Sequence, residues 1–226
     1  APAFLPFRKP FFFTRYFEKN ADLLLQNSEI PLSDLDELLD WGELSALKQG
    51  SRELQLGVDD LDPALTVLKE KLWQNRLEGL KYAEVIETLS LYVGDNANRL
   101  IGLWRKCGLL TLEGNLNFAE ALTSDRIFAK LIEKEINISN FDILTELDTK
   151  KDFGIVIAFL RQSEDPTTIA EKLISLDPEW KSIVISGLAQ AKADNWRVLA
   201  MLTALLSEHI YTELSGEIYQ ALGQVA

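Results

Sequence analysis

Residues 82–118 decide the fold and read YAEVIETLSLYVGDNANRLIGLWRKCGLLTLEGNLNF. The first part, Tyr82–Val93, places apolar side chains at the i, i+3, i+4, i+7 spacing of an amphipathic helix. Gly94 predicts where this helix ends, because glycine readily adopts the left-handed conformation that commonly terminates a helix. The spacing therefore predicts one helix followed by a sharp turn.

A second helix is predicted directly after this turn. Asp95 can cap its N-terminus, and Gly108 can close its C-terminus. The apolar stripe expected to face the core consists of Leu100, Leu103, Trp104 and Cys107. The opposite, polar face carries Asn98, Arg99, Arg105 and Lys106, with Gly102 between them. This pattern predicts a helix that buries one face and presents the other to solvent.

The hydrophobic period changes after Gly108. Two short runs, Leu109–Leu112 and Leu116–Phe118, flank the tripeptide Glu113-Gly114-Asn115. Short apolar runs around a turn that contains glycine are typical of a β-hairpin. The sequence therefore predicts one hairpin at 109–118, with helices on both sides of it.

The remainder of the chain predicts further helices. No proline occurs between residues 64 and 165, which suits a succession of helices because an interior proline costs about 3 kcal/mol. Asp62-Pro63 predicts the start of a helix that runs toward Gly79, and Ser33 predicts an earlier start. Seven more helical segments are predicted at 124–136, 140–148, 152–162, 167–176, 179–192, 195–210 and 213–223.

The fold class expected from these elements is mainly α, with one short β-hairpin. The chain of 226 residues is 47% hydrophobic, so it is long and apolar enough to build a sizeable core. An aromatic and basic N-terminal arm is expected at 1–30 and a helical region at 31–138. A C-terminal helical bundle is expected at 139–226, either as a separate domain or as one domain with the preceding region.

The spacing around Gly94 resembles the helix-turn-helix superfamily in its winged form. The resemblance rests on the turn glycine, a small residue before it and leucines in both helices: Leu89, Ser90, Gly94, Leu100 and Leu103. The hairpin is similar to the wing that follows the recognition helix in that superfamily. The resemblance is confined to residues 82–118. It implies a winged-helix-like element whose recognition face would be the polar face of the second helix.

This polar face has two interpretations. Asn and Arg side chains read base edges in the major groove of DNA, and Lys suits phosphate. However, the chain carries a net charge of −12, and Glu84, Glu87 and Glu113 within the element would repel phosphate. Winged helices also serve as protein-interaction modules. The sequence therefore favours a protein partner, with DNA binding through Asn98, Arg99, Arg105 and Lys106 as the alternative.

The N-terminal segment is rich in aromatic and basic residues. Its stretch FLPFRKPFFFTRYF, residues 4–17, holds six of the eleven phenylalanines. It is expected to pack into the core as an anchoring arm, to dock a partner, or to touch a membrane surface. Pro6 and Pro10 count against the last of these, because they interrupt any amphipathic helix. The side chains expected to dock a partner are Phe4, Phe7, Arg8, Phe11 and Phe12.

The residues that usually carry catalysis or hold metals are scarce. His209 is the single histidine and Cys107 the single cysteine, whereas catalytic dyads and metal sites usually combine several such side chains. The sequence contains no nucleophile elbow, phosphate-binding loop or dinucleotide fingerprint. We therefore expect no enzymatic activity, no cofactor and no bound metal.

The combined expectation is a non-enzymatic adaptor or regulatory subunit that acts through a protein partner or through self-association. A DNA-binding transcriptional regulator is the first alternative, and an enzyme subunit completed by a partner's residues is the second. One cysteine and no apolar run long enough to span a bilayer indicate a cytoplasmic protein without a transmembrane segment.

Overall fold

The computed structural model describes residues 16, 19–20, 35–137, 141–192, 195–209 and 212–225. Over these residues the chain forms ten α-helices and one two-stranded antiparallel sheet, which confirms the predicted mainly helical fold with one hairpin. In chain order the elements are α1 (Leu35–Leu54), α2 (Val58–Gln74), α3 (Tyr82–Val93), α4 (Ala97–Lys106), β1 (Leu110–Glu113), β2 (Asn115–Phe118), α5 (Ala121–Asn137), α6 (Phe153–Gln162), α7 (Pro166–Leu176), α8 (Trp180–Leu188), α9 (Asn195–His209) and α10 (Leu214–Val225). None of these helices is long and apolar enough to cross a membrane.

The chain divides into two compact units, residues 1–123 and 124–226. The division falls in the first turn of α5, N-terminal to the boundary expected near residue 139. The part of α5 from residue 124 onward therefore groups with the C-terminal helices. Each unit has its own set of buried apolar side chains.

In the first unit, α1 packs on α2 and α4, and α3 packs on α2 and α4. The side chains that fill the space between these helices are fully or almost fully buried: Leu38, Leu61, Leu65, Leu68, Val85, Leu89, Leu100, Ile101 and Trp104. Apolar burial of this kind contributes about 25 cal/mol per Å² of surface removed from water. This core fixes the orientation of α3 and α4, which carry the candidate site.

The predicted start of α2 at Asp62-Pro63 is wrong. The helix begins at Val58, one turn earlier, where the Asp60 carboxylate accepts a hydrogen bond from the Gly57 N–H at 3.0 Å. Leu61 is completely buried, so the added turn extends the apolar face of the helix in front of Pro63. The helix also ends at Gln74 and does not run on to Gly79, because the chain there leaves the helix in hydrogen-bonded turns.

In the second unit, α8 packs on α6, α7 and α10, and α9 packs on α7 and α10. The α6–α8 contact is close because Gly187 has no side chain. A Cβ at that position would lie 2.6 Å from Cδ1 of Leu160. Most predicted helices of this region are confirmed within a few residues.

Two of the predicted C-terminal helices differ from the structure. The segment expected at 140–148 is a 3₁₀ helix, Phe141–Glu146, and the helix expected at 179–192 ends at Leu188. It ends there because the chain turns back toward α6, where the Lys192 N–H donates to the Arg161 carbonyl at 3.2 Å. These tertiary hydrogen bonds leave no periodic pattern in the sequence.

Candidate functional site: the α3–α4 pair and its hairpin

The turn between α3 and α4 is formed as the glycine predicts. Gly94 has φ of 56°, a conformation that side-chain-bearing residues rarely adopt, and its N–H donates to the Ser90 carbonyl. A short 3₁₀ helix, Gly94–Asn96, then leads into α4. The prediction that Asp95 caps α4 is wrong, because this 3₁₀ turn places Asn96 at the cap position and its side chain makes no capping hydrogen bond.

The inward face of α4 is confirmed and is wider than predicted. Leu100, Leu103 and Trp104 are buried as expected, and Ile101 and Ala97 are buried beside them. Cys107 is only half-buried, at the end of the helix, where its Sγ–H donates to the Leu103 carbonyl at 3.2 Å. Ile101 was missed because it lies at the edge of the apolar stripe, where periodicity alone does not separate buried from exposed positions.

The outward face of α4 presents the four predicted side chains, and all of them are exposed. Two of the four have partners in this chain. Asn98 Oδ1 accepts a hydrogen bond from the Tyr82 hydroxyl, and Arg99 forms an ion pair with Glu53 of α1 at 3.8 Å. Both partners are distant along the chain and lie on other helices, so the sequence did not predict either contact.

The other two, Arg105 and Lys106, lie in the last turn of α4. Positive charge is favourable there because the helix dipole leaves partial negative charge at the C-terminus. Within the described part of the chain, neither side chain forms an ion pair. The available positive charge of this face therefore lies at the C-terminal end of the helix.

The hairpin at 109–118 is confirmed. β1 and β2 pair antiparallel from Leu110 opposite Phe118 to Glu113 opposite Asn115, with Gly114 in the turn. The structure adds a contact that the sequence does not indicate, because Leu80 bridges to Leu116 through two backbone hydrogen bonds of 3.0 and 2.7 Å. A single bridging residue produces no alternating pattern. This bridge fastens the hairpin beside the start of α3.

Two exposed apolar side chains lie in the last turn of α3. Leu91 is 82% exposed and its neighbour Tyr92 is 42% exposed. A single exposed leucine is common on protein surfaces, whereas these two exposed side chains are neighbours in the chain and form a small apolar patch at the turn between two helices. Sequence reasoning missed this pair, although Leu91 falls outside the apolar stripe of α3 and could have been found on that ground.

The charges around the element are mixed. Residues 95–118 contain three basic side chains and two acidic ones, Asp95 and Glu113. Within α3, Glu84 forms an ion pair with Lys71 at 3.7 Å, and Glu87 is exposed. The element therefore lacks the continuous basic surface that binding to a phosphate backbone favours.

The predicted docking side chains Phe4, Phe7, Arg8, Phe11 and Phe12 lie outside the described residues. Among the described residues nearest to them, Lys19 forms an ion pair with Glu37 of α1 at 2.8 Å.

His209 lies beside a lysine of α8. His209 Nε2 lies 2.9 Å from Lys181 Nζ, so a neutral imidazole can accept a hydrogen bond from that ammonium group. Throughout the described ranges, no group of three or more His, Cys, Asp or Glu side chains is placed to hold a metal ion.

The second unit contains a half-buried carboxylate, Asp125, whose pKa is strongly raised. The pKa of Asp125 is raised to about 6, mainly by burial and also by the nearby negative charge of Asp152, while the positive charge of Arg161 opposes both effects. The Asp125 carboxylate packs directly against Gly154 at the start of α6, where any side chain would collide with it. Asp152 is 1% exposed and accepts a hydrogen bond from the Asp148 N–H at 2.9 Å. The Asp125 carboxyl therefore exchanges its proton close to neutral pH.

Comparison with known proteins adds no assignment, because no protein-family model, curated protein or solved structure matches the chain.

Proposed function

We propose that this protein is a non-enzymatic adaptor or regulatory subunit that binds a protein partner through residues 82–118, and that these residues form a winged-helix-like element. The winged-helix-like interpretation is supported by the order of the elements: a helix, a glycine turn, a second helix and a hairpin. The bridge from Leu80 to Leu116 supports it further, since it gives the hairpin a fixed position beside the helix pair.

The observation that favours protein binding over DNA binding is that the polar side chains in the first turn of α4 already have partners within the chain. In helix-turn-helix proteins the N-terminal residues of the recognition helix contact base edges. Here Asn98 is engaged by Tyr82 and Arg99 by Glu53, and both contacts would have to break before either side chain could read a base. The acidic Asp95 and the net charge of −12 oppose approach to phosphate as well.

The binding surface that we propose includes Leu91 and Tyr92. Aromatic and large apolar side chains often dominate the energy of protein interfaces when the partner buries them completely. Arg105 and Lys106 would supply positive charges that complement carboxylates on the partner.

The expected result for the double variant Leu91→Ser/Tyr92→Ser is loss of a partner that the native chain captures from an extract of its own cells. Burying an anchor residue of this kind contributes about 2 kcal/mol or more, which corresponds to a loss of affinity of roughly 30-fold. The measurement is capture by immobilised protein, followed by titration of the identified partner.

The matched control is Leu77→Ser, which removes another leucine of the first unit that is 56% exposed. This variant should retain the partner. Equal retention by the double variant, or no captured partner with the native chain, would contradict the proposal.

The second candidate function is a DNA-binding regulator, and it is favoured by the exposure of Arg105 and Lys106. Under the protein-binding proposal, we expect no binding to duplex DNA even at about 50 mM salt, where phosphate contacts are strong. Fluorescence anisotropy with a labelled duplex measures this. Binding that weakens steeply with salt and is lost on replacing Arg99, Arg105 and Lys106 by Ala would establish the second candidate in place of the first.

A further inference from the structure

Helix α9 of the second unit has one exposed face that runs along its whole length. The opposite side of the helix, with Val198, Leu202 and Leu205, is buried. The exposed side chains lie three or four residues apart, as one helical face requires: Trp196, Arg197, Ala200, Thr203, Ala204, Ser207 and Glu208. Trp196 is the most exposed of the large apolar side chains of this helix, at 74%.

A groove of about 520 Å³ runs between α7 and this face of α9. Ile174 and Ser175 of α7 form one wall, and Met201 and Ala204 belong to the other. The middle of the exposed face is built from small side chains, Ala200, Thr203 and Ala204. Small side chains allow a second helix to approach to the short end of the usual range, about 8 Å between axes.

The two ends of the face carry opposite charges. Arg197 lies near the N-terminus of α9 and Glu208 near the C-terminus, eleven residues later, which is about 16 Å along the helix. Their midpoint falls between Leu202 and Thr203. The two charges are therefore placed symmetrically about the middle of the helix and are opposite in sign.

We propose that the exposed face of α9 pairs antiparallel with the same face of a second copy of this chain. A two-fold axis at the midpoint places Arg197 of each copy beside Glu208 of the other, and the small side chains meet at the centre. A two-fold symmetric interface requires such a self-complementary surface, because every contact occurs twice: if Arg197 of the first copy contacts Glu208 of the second, Arg197 of the second contacts Glu208 of the first. Arg197 is also within electrostatic range of Asp165, and pairing adds a second carboxylate, Glu208 of the second copy.

Charge reversal tests the pairing directly, with sedimentation velocity of the full chain between about 1 and 100 µM as the measurement. The native chain is expected to dimerise. Arg197→Glu and Glu208→Arg each place two like-charge pairs across the axis, so each should weaken the dimer by about tenfold or more. An equimolar mixture of the two variants should dimerise again, because both pairs are then attractive. Restoration by mixing cannot arise from misfolding of either variant.

Two further variants complete the test. Ala204→Gln puts a longer side chain on the exposed face without opposing helix formation, and it should block close approach. Lys150→Glu makes the same charge change as Arg197→Glu at an exposed position of the second unit outside α9, and it should leave the dimer unchanged. A native chain that is monomeric over the whole range, single reversals that leave the dimer intact, or a mixture no stronger than its components would each overturn the proposal.

This inference is independent of the function proposed above, which concerns the first unit. The variant Leu91→Ser/Tyr92→Ser should still dimerise, and Arg197→Glu should still capture the partner.

Discussion

Asp125→Asn is expected to stabilise the protein at pH 8 and to leave its stability nearly unchanged at pH 4. In the folded chain, burial and the charge of Asp152 raise the pKa of Asp125 to about 6 from an ordinary value of 3.8. Since each pKa unit corresponds to 1.36 kcal/mol, ionising this carboxyl in the folded state costs up to about 3 kcal/mol. The amide of asparagine has nearly the same shape and cannot ionise, so the variant avoids that cost.

The pH range follows from the direction of the shift. Well below pH 3.8 the carboxyl is protonated in both the folded and the unfolded chain and makes no difference to stability, and at pH 4 only a small part of the penalty is present. Between about pH 4 and 6 the unfolded chain loses the proton first, so the stability of the native protein falls as the pH rises. Above about pH 6 the full penalty is present. Urea-induced unfolding at pH 4 and pH 8, followed by circular dichroism, measures the difference.

Asp165→Asn is the matched control, because its effect should have the opposite sign. Asp165 caps α7, and a hydrogen bond from the Thr168 side chain lowers the pKa of its carboxyl. A carboxyl with a lowered pKa stabilises the fold at any pH above its ordinary pKa, and this stabilisation is lost as the pH falls through the lowered pKa. At pH 8 the Asp165→Asn variant should therefore have a smaller free energy of unfolding than the native chain. Equal responses of both variants to pH would show that Asp125 ionises without penalty.

Much of the first unit's architecture follows from its sequence. The 3.6-residue period of α3 and α4, the glycine between them and the glycine in the hairpin all act locally, and each produced the expected element. The errors have non-local causes. The start of α2 was misplaced because Pro63 is a typical first residue of a helix, whereas burial of Leu61 extends the helix one turn beyond it. Tertiary burial outweighed the local signal at that point.

The sequence predicted which side chains of the candidate site are exposed, but it did not predict which residues they contact. A helical wheel is enough to place Asn98 and Arg99 on the outer face of α4, because the inner face is set by the leucines. Their partners Tyr82 and Glu53 depend on how three helices cross, and a single sequence does not encode those crossing angles in a readable form. Asn98 and Arg99 have partners within the chain, and these contacts must break before either side chain can read a base. The contacts therefore bear on the choice between the two proposed functions.

The two proposed surfaces differ in the kind of information that reveals them. The position of Leu91 outside the apolar stripe of α3 is present in the sequence, whereas the degree to which Leu91 and Tyr92 are exposed is known only from the structure. The face of α9 combines burial with the spacing of Arg197 and Glu208, which is present in the sequence but has no meaning until the buried side of the helix is assigned. Both proposals depend on the exposure of individual side chains more than on secondary structure.

The largest loss of stability is expected for Trp104→Ala. Trp104 is completely buried on the inner face of α4, next to Gly50 of α1, whose missing side chain lets the two helices approach closely. Truncating a buried tryptophan to alanine removes its apolar surface and leaves a cavity, at a cost of about 3–5 kcal/mol. Domains of this size have a free energy of unfolding of about 5–15 kcal/mol, so the first unit would lose a large part of its stability. Urea-induced unfolding followed by circular dichroism measures the loss.

Two comparisons separate the cavity from other effects of this substitution. Trp104→Phe should cost less than half as much as Trp104→Ala, because phenylalanine refills most of the space and removes an indole N–H that has no acceptor within the described residues. Trp196→Ala, at a residue that is 74% exposed, should cost less than about 0.5 kcal/mol in dilute protein. A phenylalanine variant as unstable as the alanine variant would contradict this account, since it would mean that the indole N–H, and not the volume of the ring, stabilises α4 and the surface it presents.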